Sequence, residues 1–156
     1  MTTPITTTST NELNLDEAGL QRLAALVAMD LRAGDAVALN GDLGAGKTTF
    51  ARAAIRAALA DEEAEVPSPT FILVQIYETP RGTITHCDLY RIDGEDGAAE
   101  LGLEEALARG ALLVEWPERA PGYWPHALRL TLAPAPDGGR ILTADVPASW
   151  KPRWPI

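Results

Sequence analysis

The amino-acid sequence predicts an α/β fold: one compact domain with a mixed β-sheet flanked by helices. Three observations carry this. A helical-period stretch alternates with short apolar runs suited to buried strands. A glycine-rich loop sits between one such run and an alanine-rich helix. Two segments with turn residues between them read as hairpins. The chain has 156 residues, enough for one domain with a worthwhile core and too few for a dinucleotide-binding fold of two halves.

Taking the elements in order, residues 1–11 read as a flexible leader, 12–147 as the domain and 148–156 as a tail. From Asp16 to Leu31, apolar Leu20, Leu23, Ala24, Leu26, Val27 and Leu31 give one face at helical period, with Asn14 or Asp16 as N-cap and Gly34 ending the helix. Ala36-Val37-Ala38-Leu39 suits a buried strand, and Thr48 to Leu59 a helix. An acidic connector, Asp61 to Glu65, leads into Val66-Pro67-Ser68-Pro69-Thr70, whose two prolines imply an extended loop. Phe71 to Tyr77 and Thr83 to Leu89 form a hairpin about Thr79-Pro80-Arg81-Gly82. Glu95 to Leu107 is helical with an interruption at Gly102, and Ala111 to Glu115 is a buried strand ending at Trp116-Pro117. Ala127 to Leu132 and Ile141 to Val146 make a second hairpin, turning at Asp137-Gly138-Gly139.

Composition sets limits. An apolar fraction of 46% is that of an ordinary globular protein, and no apolar run reaches the ~18–20 residues of a membrane span. Cys87 is the single cysteine, so no disulfide forms within the chain, in keeping with a reducing, cytoplasmic setting. A net charge of −9 disfavours direct, non-specific binding to nucleic acid.

The chemistry is concentrated in a few motifs. Gly41-Asp42-Leu43-Gly44-Ala45-Gly46-Lys47-Thr48 satisfies G-x-x-x-x-G-K-[ST], the P-loop of nucleotide triphosphate-binding proteins. Glycines let successive N–H groups converge on one anion, and the following helix adds its positive end. Lys47 offers a compact charge to the β- and γ-phosphates, and the Thr48 hydroxyl a ligand for Mg²⁺. Thr49 follows at the helix start and is grouped with the phosphate-binding residues. Such a loop needs a carboxylate at a nearby strand end, and two are available: Asp88 and Glu115. For Asp88 a solvated strand-end acid or an ion pair with Arg91 is an equal alternative, and Trp116 reads first as a core aromatic. His86 and Cys87 lack the company for a zinc site.

Four motifs in order closely resemble the bacterial TsaE family, formerly called YjeE: the loop extended to Thr49-Phe50, Ser68-Pro69-Thr70-Phe71, His86-Cys87-Asp88-Leu89-Tyr90-Arg91, and Val114-Glu115-Trp116-Pro117-Glu118. Glu100-Leu101-Gly102-Leu103-Glu104-Glu105 looks like the segment between the last two. The resemblance runs from about Leu13 to Val146, and departures lie in the tails and in segment 133–136.

The resemblance implies a P-loop ATPase that supports threonylcarbamoyl-adenosine modification of tRNA. ATP would be bound by Asp42, Leu43, Gly44, Ala45, Gly46, Lys47 and Thr48, with Mg²⁺ on Thr48 and Glu115. Asp88 would stand by the γ-phosphate, positioning the attacking water or the metal's water shell. Lys47, Asp88 and Glu115 make up the catalytic set. Trp116 would neighbour the nucleotide, Ser68 and Thr70 would form a switch-like loop, and Arg140 would reach toward the nucleotide. The implied partner is the TsaB–TsaD heterodimer, with tRNA engaged only through that complex. A nucleotide-dependent scaffold and a small-molecule kinase are the competing functions.

Overall fold

In the computed structural model, which describes residues 12–69, 73–92 and 94–156, the chain builds a seven-stranded mixed sheet in the order β1-β7-β6-β2-β5-β4-β3. The strands are β1 (Glu12–Leu15), β2 (Ala36–Asn40), β3 (Val74–Thr79), β4 (Gly82–Asp88), β5 (Gly110–Glu115), β6 (Leu128–Pro134) and β7 (Arg140–Asp145). The helices are α1 (Glu17–Met29), α2 (Lys47–Leu59), α3 (Gly94–Glu100) and α4 (Leu103–Arg109). Strand β2 is central and runs parallel to both β5 and β6, while β4 runs parallel to β5. Three antiparallel pairs, β3–β4, β6–β7 and β1–β7, complete the sheet.

Alternation along the strands divides the core in two. Val37 and Leu39 of β2, with Leu128, Leu130 and Leu132 of β6, face α1 and α2. Ala36 and Ala38, with Leu112 and Val114 of β5, face the opposite layer with Leu103 and Trp124. Helix α1 begins where Asp16 accepts the Gly19 N–H at 2.7 Å, so of the two N-caps expected it is Asp16 that serves. Its buried stripe is Leu20, Leu23, Ala24 and Val27. Leu26, expected on that stripe, is 49% exposed, because six residues beyond Leu20 it has turned off the face.

The expected helix 95–107 is two helices, α3 and α4, because Gly102 takes φ 74° between them. The first hairpin begins later than expected. Residues 70–72 lie outside the described residues, and Leu73 at φ 74° turns the chain before β3 starts at Val74. Strand β1 was not expected at all; its four residues become a strand by pairing with β7, Leu13 opposite Leu142. Residues 1–11, expected as a leader, lie outside the described residues.

Segment 148–156 packs onto the domain. Trp150 is 1% exposed within the core beneath α1 and α2. Arg153 stacks over its ring at 4.1 Å, bonds both Asp35 oxygens at 2.7 and 3.0 Å, and donates to the Asp30 carbonyl at 2.7 Å. No helix among the described residues is long and apolar enough to cross a membrane.

Candidate functional site

The site lies where β2, β4 and β5, adjacent and parallel, reach their C-terminal ends, the edge at which α/β sheets hold ligands. From β2 the chain enters the glycine loop and then α2. Gly41 has φ 146°, and a Cβ there would lie 2.5 Å from the Leu132 carbonyl oxygen, so only glycine lets the loop leave the sheet. Gly46 has φ 114° and stands at the N-cap of α2, without a side-chain cap. The first turn of α2 contains no acid, unlike that of α1 with Glu17. Its leading N–H groups and its positive dipole end are therefore left for an anion.

Lys47 is 5% exposed and folds its ammonium back along the loop. Nζ donates to the Gly41 carbonyl and, at 3.4 Å, to that of Asp42, and lies 3.7 Å from the centroid of the Trp116 ring. Burial pushes its pKa below the usual lysine value; the acidic groups of Glu115, Glu118, Asp88 and Asp42 oppose the shift.

Glu115 ends β5 at 2% exposure. The Thr48 hydroxyl donates to its Oε1 at 2.8 Å, and His86 Nε2 lies 2.7 Å from its Oε2. Asp88 ends β4 in register with Glu115, 4% exposed, and its Oδ1 accepts the Tyr90 N–H at 2.8 Å. Just past β5, Trp116 holds a left-handed φ of 61°, the kind of local strain that clusters at functional sites. Its ring packs on Tyr90 at 4.8 Å, and the Arg119 guanidinium caps Tyr90 at 5.3 Å.

These groups line one cleft of about 170 Å³, formed by Leu43, Gly44, Gly46, Lys47, Thr48, Thr49, Asp88, Glu115, Trp116 and Arg140. Arg140 reaches it from the start of β7, donating to the Gly44 carbonyl at 3.4 Å and the Gly139 carbonyl at 3.1 Å. Other expected site residues stand elsewhere. The Asp42 side chain is exposed while its carbonyl serves the loop, Ala45 is buried beneath it, and half-buried Ser68 is off the cleft wall. Thr70 lies outside the described residues. A larger groove of about 460 Å³ between α1 and α2 has neither Lys47 nor Glu115 on its wall.

No group of three or more His, Cys, Asp or Glu side chains that suits a metal exists among the described residues. The hard oxygens of Thr48 and Glu115 fit instead a cation that takes few protein ligands and completes its shell with phosphate and water, which is the habit of Mg²⁺. Sequence reasoning gave no role to His86 or Tyr90. Both lie inside the His86–Arg91 motif, but their partners are on other strands and loops and carry no local signal.

Fold and site together define a single α/β domain, a mixed seven-stranded sheet flanked by helices with a cleft at its C-terminal edge. A family model described as "Threonylcarbamoyl adenosine biosynthesis protein TsaE" matches residues 15–141, and the chain belongs to the TsaE family. The tRNA threonylcarbamoyladenosine biosynthesis protein TsaE of Rickettsia felis is 47% identical over 103 residues, 66% of this chain and 60% of that protein. The chain thus spans somewhat under two thirds of that relative's length. TsaE of Treponema pallidum is 33% identical over 124 residues, covering 78% and 90% of the two chains. Among solved structures, YdiB of Bacillus subtilis superimposes with a TM-score of 0.71 at 27% identity, covering 88% of this chain and 87% of that one.

Proposed function

We propose that this protein binds ATP with Mg²⁺, hydrolyses it slowly, and by doing so supports threonylcarbamoyl-adenosine modification of tRNA through a TsaB–TsaD complex. The observation that carries the nucleotide reading is the 2.8 Å contact between the Thr48 hydroxyl and Glu115, in one cleft with Lys47 and Asp88. Four chemically matched groups meet there, two from the start of α2 and two from the ends of β4 and β5, and a glycine turn alone does not require that. Family membership supports the pathway, and its partner pair is the natural object of an ATP-driven cycle.

Each residue then has a task. The free N–H groups of the α2 first turn and the Lys47 ammonium hold the triphosphate. Thr48 and Glu115 would hold Mg²⁺, which when bound neutralises charge on the β- and γ-phosphates. Asp88, a buried carboxylate at the neighbouring strand end, orients the water that attacks the γ-phosphate. Trp116 covers Lys47 and shields it from bulk water.

A reconstituted tRNA modification assay tests this. Lys47→Ala or Glu115→Ala should each reduce product formation at least ~100-fold, the usual scale for losing a charged group at a phosphoryl-transfer centre. Wild-type yield from either variant would overturn the reading. Asp88→Asn, if it still binds ATP, should stall after about one round, whereas a scaffold without required hydrolysis would continue.

A further inference from the structure

His86 is a fully buried histidine in a β-strand, with no function derived for it so far. Strand alternation puts it on the same face of β4 as Ile84 and Asp88, toward the α1–α2 layer. Its register partner on β5 is Leu113, and Glu115 lies two residues further on that same face. His86 Nε2 therefore meets Glu115 Oε2 on the diagonal, at 2.7 Å. A carboxylate only accepts, so Nε2 carries the hydrogen. Nδ1 finds no hydrogen-bond partner among the described residues. The ring thus has a single polar engagement, and it points at Glu115.

That engagement constrains the carboxylate. With Oε2 held from behind by His86, Oε1 is turned toward the Thr48 hydroxyl at the mouth of the loop. Without the imidazole N–H, Oε2 would be a buried acceptor left short of a partner, and the carboxylate would rotate to find one. Resting on the nucleotide–metal reading above, we propose that His86 is a positioning residue: it fixes the Glu115 carboxylate so that one oxygen is presented, with the Thr48 hydroxyl, to the divalent cation of a bound nucleotide. Hydrogen-bonding partners behind metal-binding carboxylates commonly tune affinity about 10- to 100-fold. A histidine that merely filled the core would be replaceable by any side chain of its volume.

The test is calorimetric binding of a non-hydrolysable ATP analogue, in EDTA and across a Mg²⁺ titration, so no turnover enters the readout. His86→Leu should need about 10- to 100-fold more Mg²⁺ to reach the tight complex, with affinity in EDTA unchanged within about twofold. His86→Gln, whose amide reaches as far as Nε2, should restore most of the Mg²⁺ response. His86→Asn, whose amide stops at the position of Nδ1, should not. If His86→Leu fails to fold, the Gln and Asn pair decides: equal Mg²⁺ responses in the two overturn the proposal. A loss of binding in EDTA as large as that in Mg²⁺ would mean a structural role only and also overturn it. If the wild-type protein itself bound the analogue no better with Mg²⁺ than without, the nucleotide–metal reading would fall first, and this role with it.

Discussion

In the role proposed for it, Lys47 must be charged to hold phosphate, yet it is buried among groups that leave its ammonium little water. Its pKa is lowered, with desolvation the larger cause and the surrounding acids opposing it. The sign is clear: below the lowered pKa the ammonium is present and binding is strong, and as pH rises toward 10.5 it is lost before an ordinary lysine would be. Affinity for ADP measured in EDTA should therefore weaken between neutral pH and pH 10.5, where the ligand's own phosphates no longer titrate. A flat profile to pH 10.5 would contradict this placement of Lys47. The same shift makes the buried ammonium a cost that diminishes as pH rises through its folded pKa, since the unfolded chain then binds more protons than the folded one. Gly41 is the other residue on which the loop depends. Gly41→Ala sets a Cβ at a left-handed φ against the Leu132 carbonyl and should lower stability by about 1–3 kcal/mol, read by urea unfolding.

At the scale of elements, what was legible in the sequence was what is local. The loop's glycines, the hairpin turns and the break at Gly102 each act within a few residues, so pattern alone located them, and it narrowed the first cap to Asn14 or Asp16. Strand β1 was not legible because Glu-Leu-Asn-Leu becomes a strand only by pairing with β7, more than a hundred positions away. The pairing of β6 with β2 and the diagonal from His86 to Glu115 are of the same non-local kind. Glu115 could be read because it closes an apolar strand and Asp88 because it ends a hairpin strand, whereas the register that sets the two acids side by side could not. The prolines and tryptophans of the C-terminal segment suggested a tail packed on the surface or on a partner, and Trp150 is buried against the domain while Arg153 clasps Asp35 just before β2. Trp150→Ala should cost about 3–5 kcal/mol, the usual loss for a buried aromatic, and a change below ~1 kcal/mol would show the segment to be dispensable.

At the scale of the molecule, a net charge of −9 and a cleft at one sheet edge lined by Lys47, Thr48, Asp88 and Glu115 set the kind of work this protein can do. The charge argues against gripping tRNA by its phosphates, which is why a protein complex is proposed as what this protein acts on. Exposed Leu43 at the loop tip, 76% accessible, stands at the cleft, so the surface around it is not wholly polar. The central claim is that ATP hydrolysis at this cleft is coupled to the TsaB–TsaD pair. The most direct measurement is steady-state ATP turnover by the purified protein, alone and with the purified pair, with Lys47→Ala in parallel. The account predicts slow turnover alone, faster turnover with the pair, and none above background for Lys47→Ala in either case. Turnover that the pair leaves unchanged, or that survives Lys47→Ala, would contradict it.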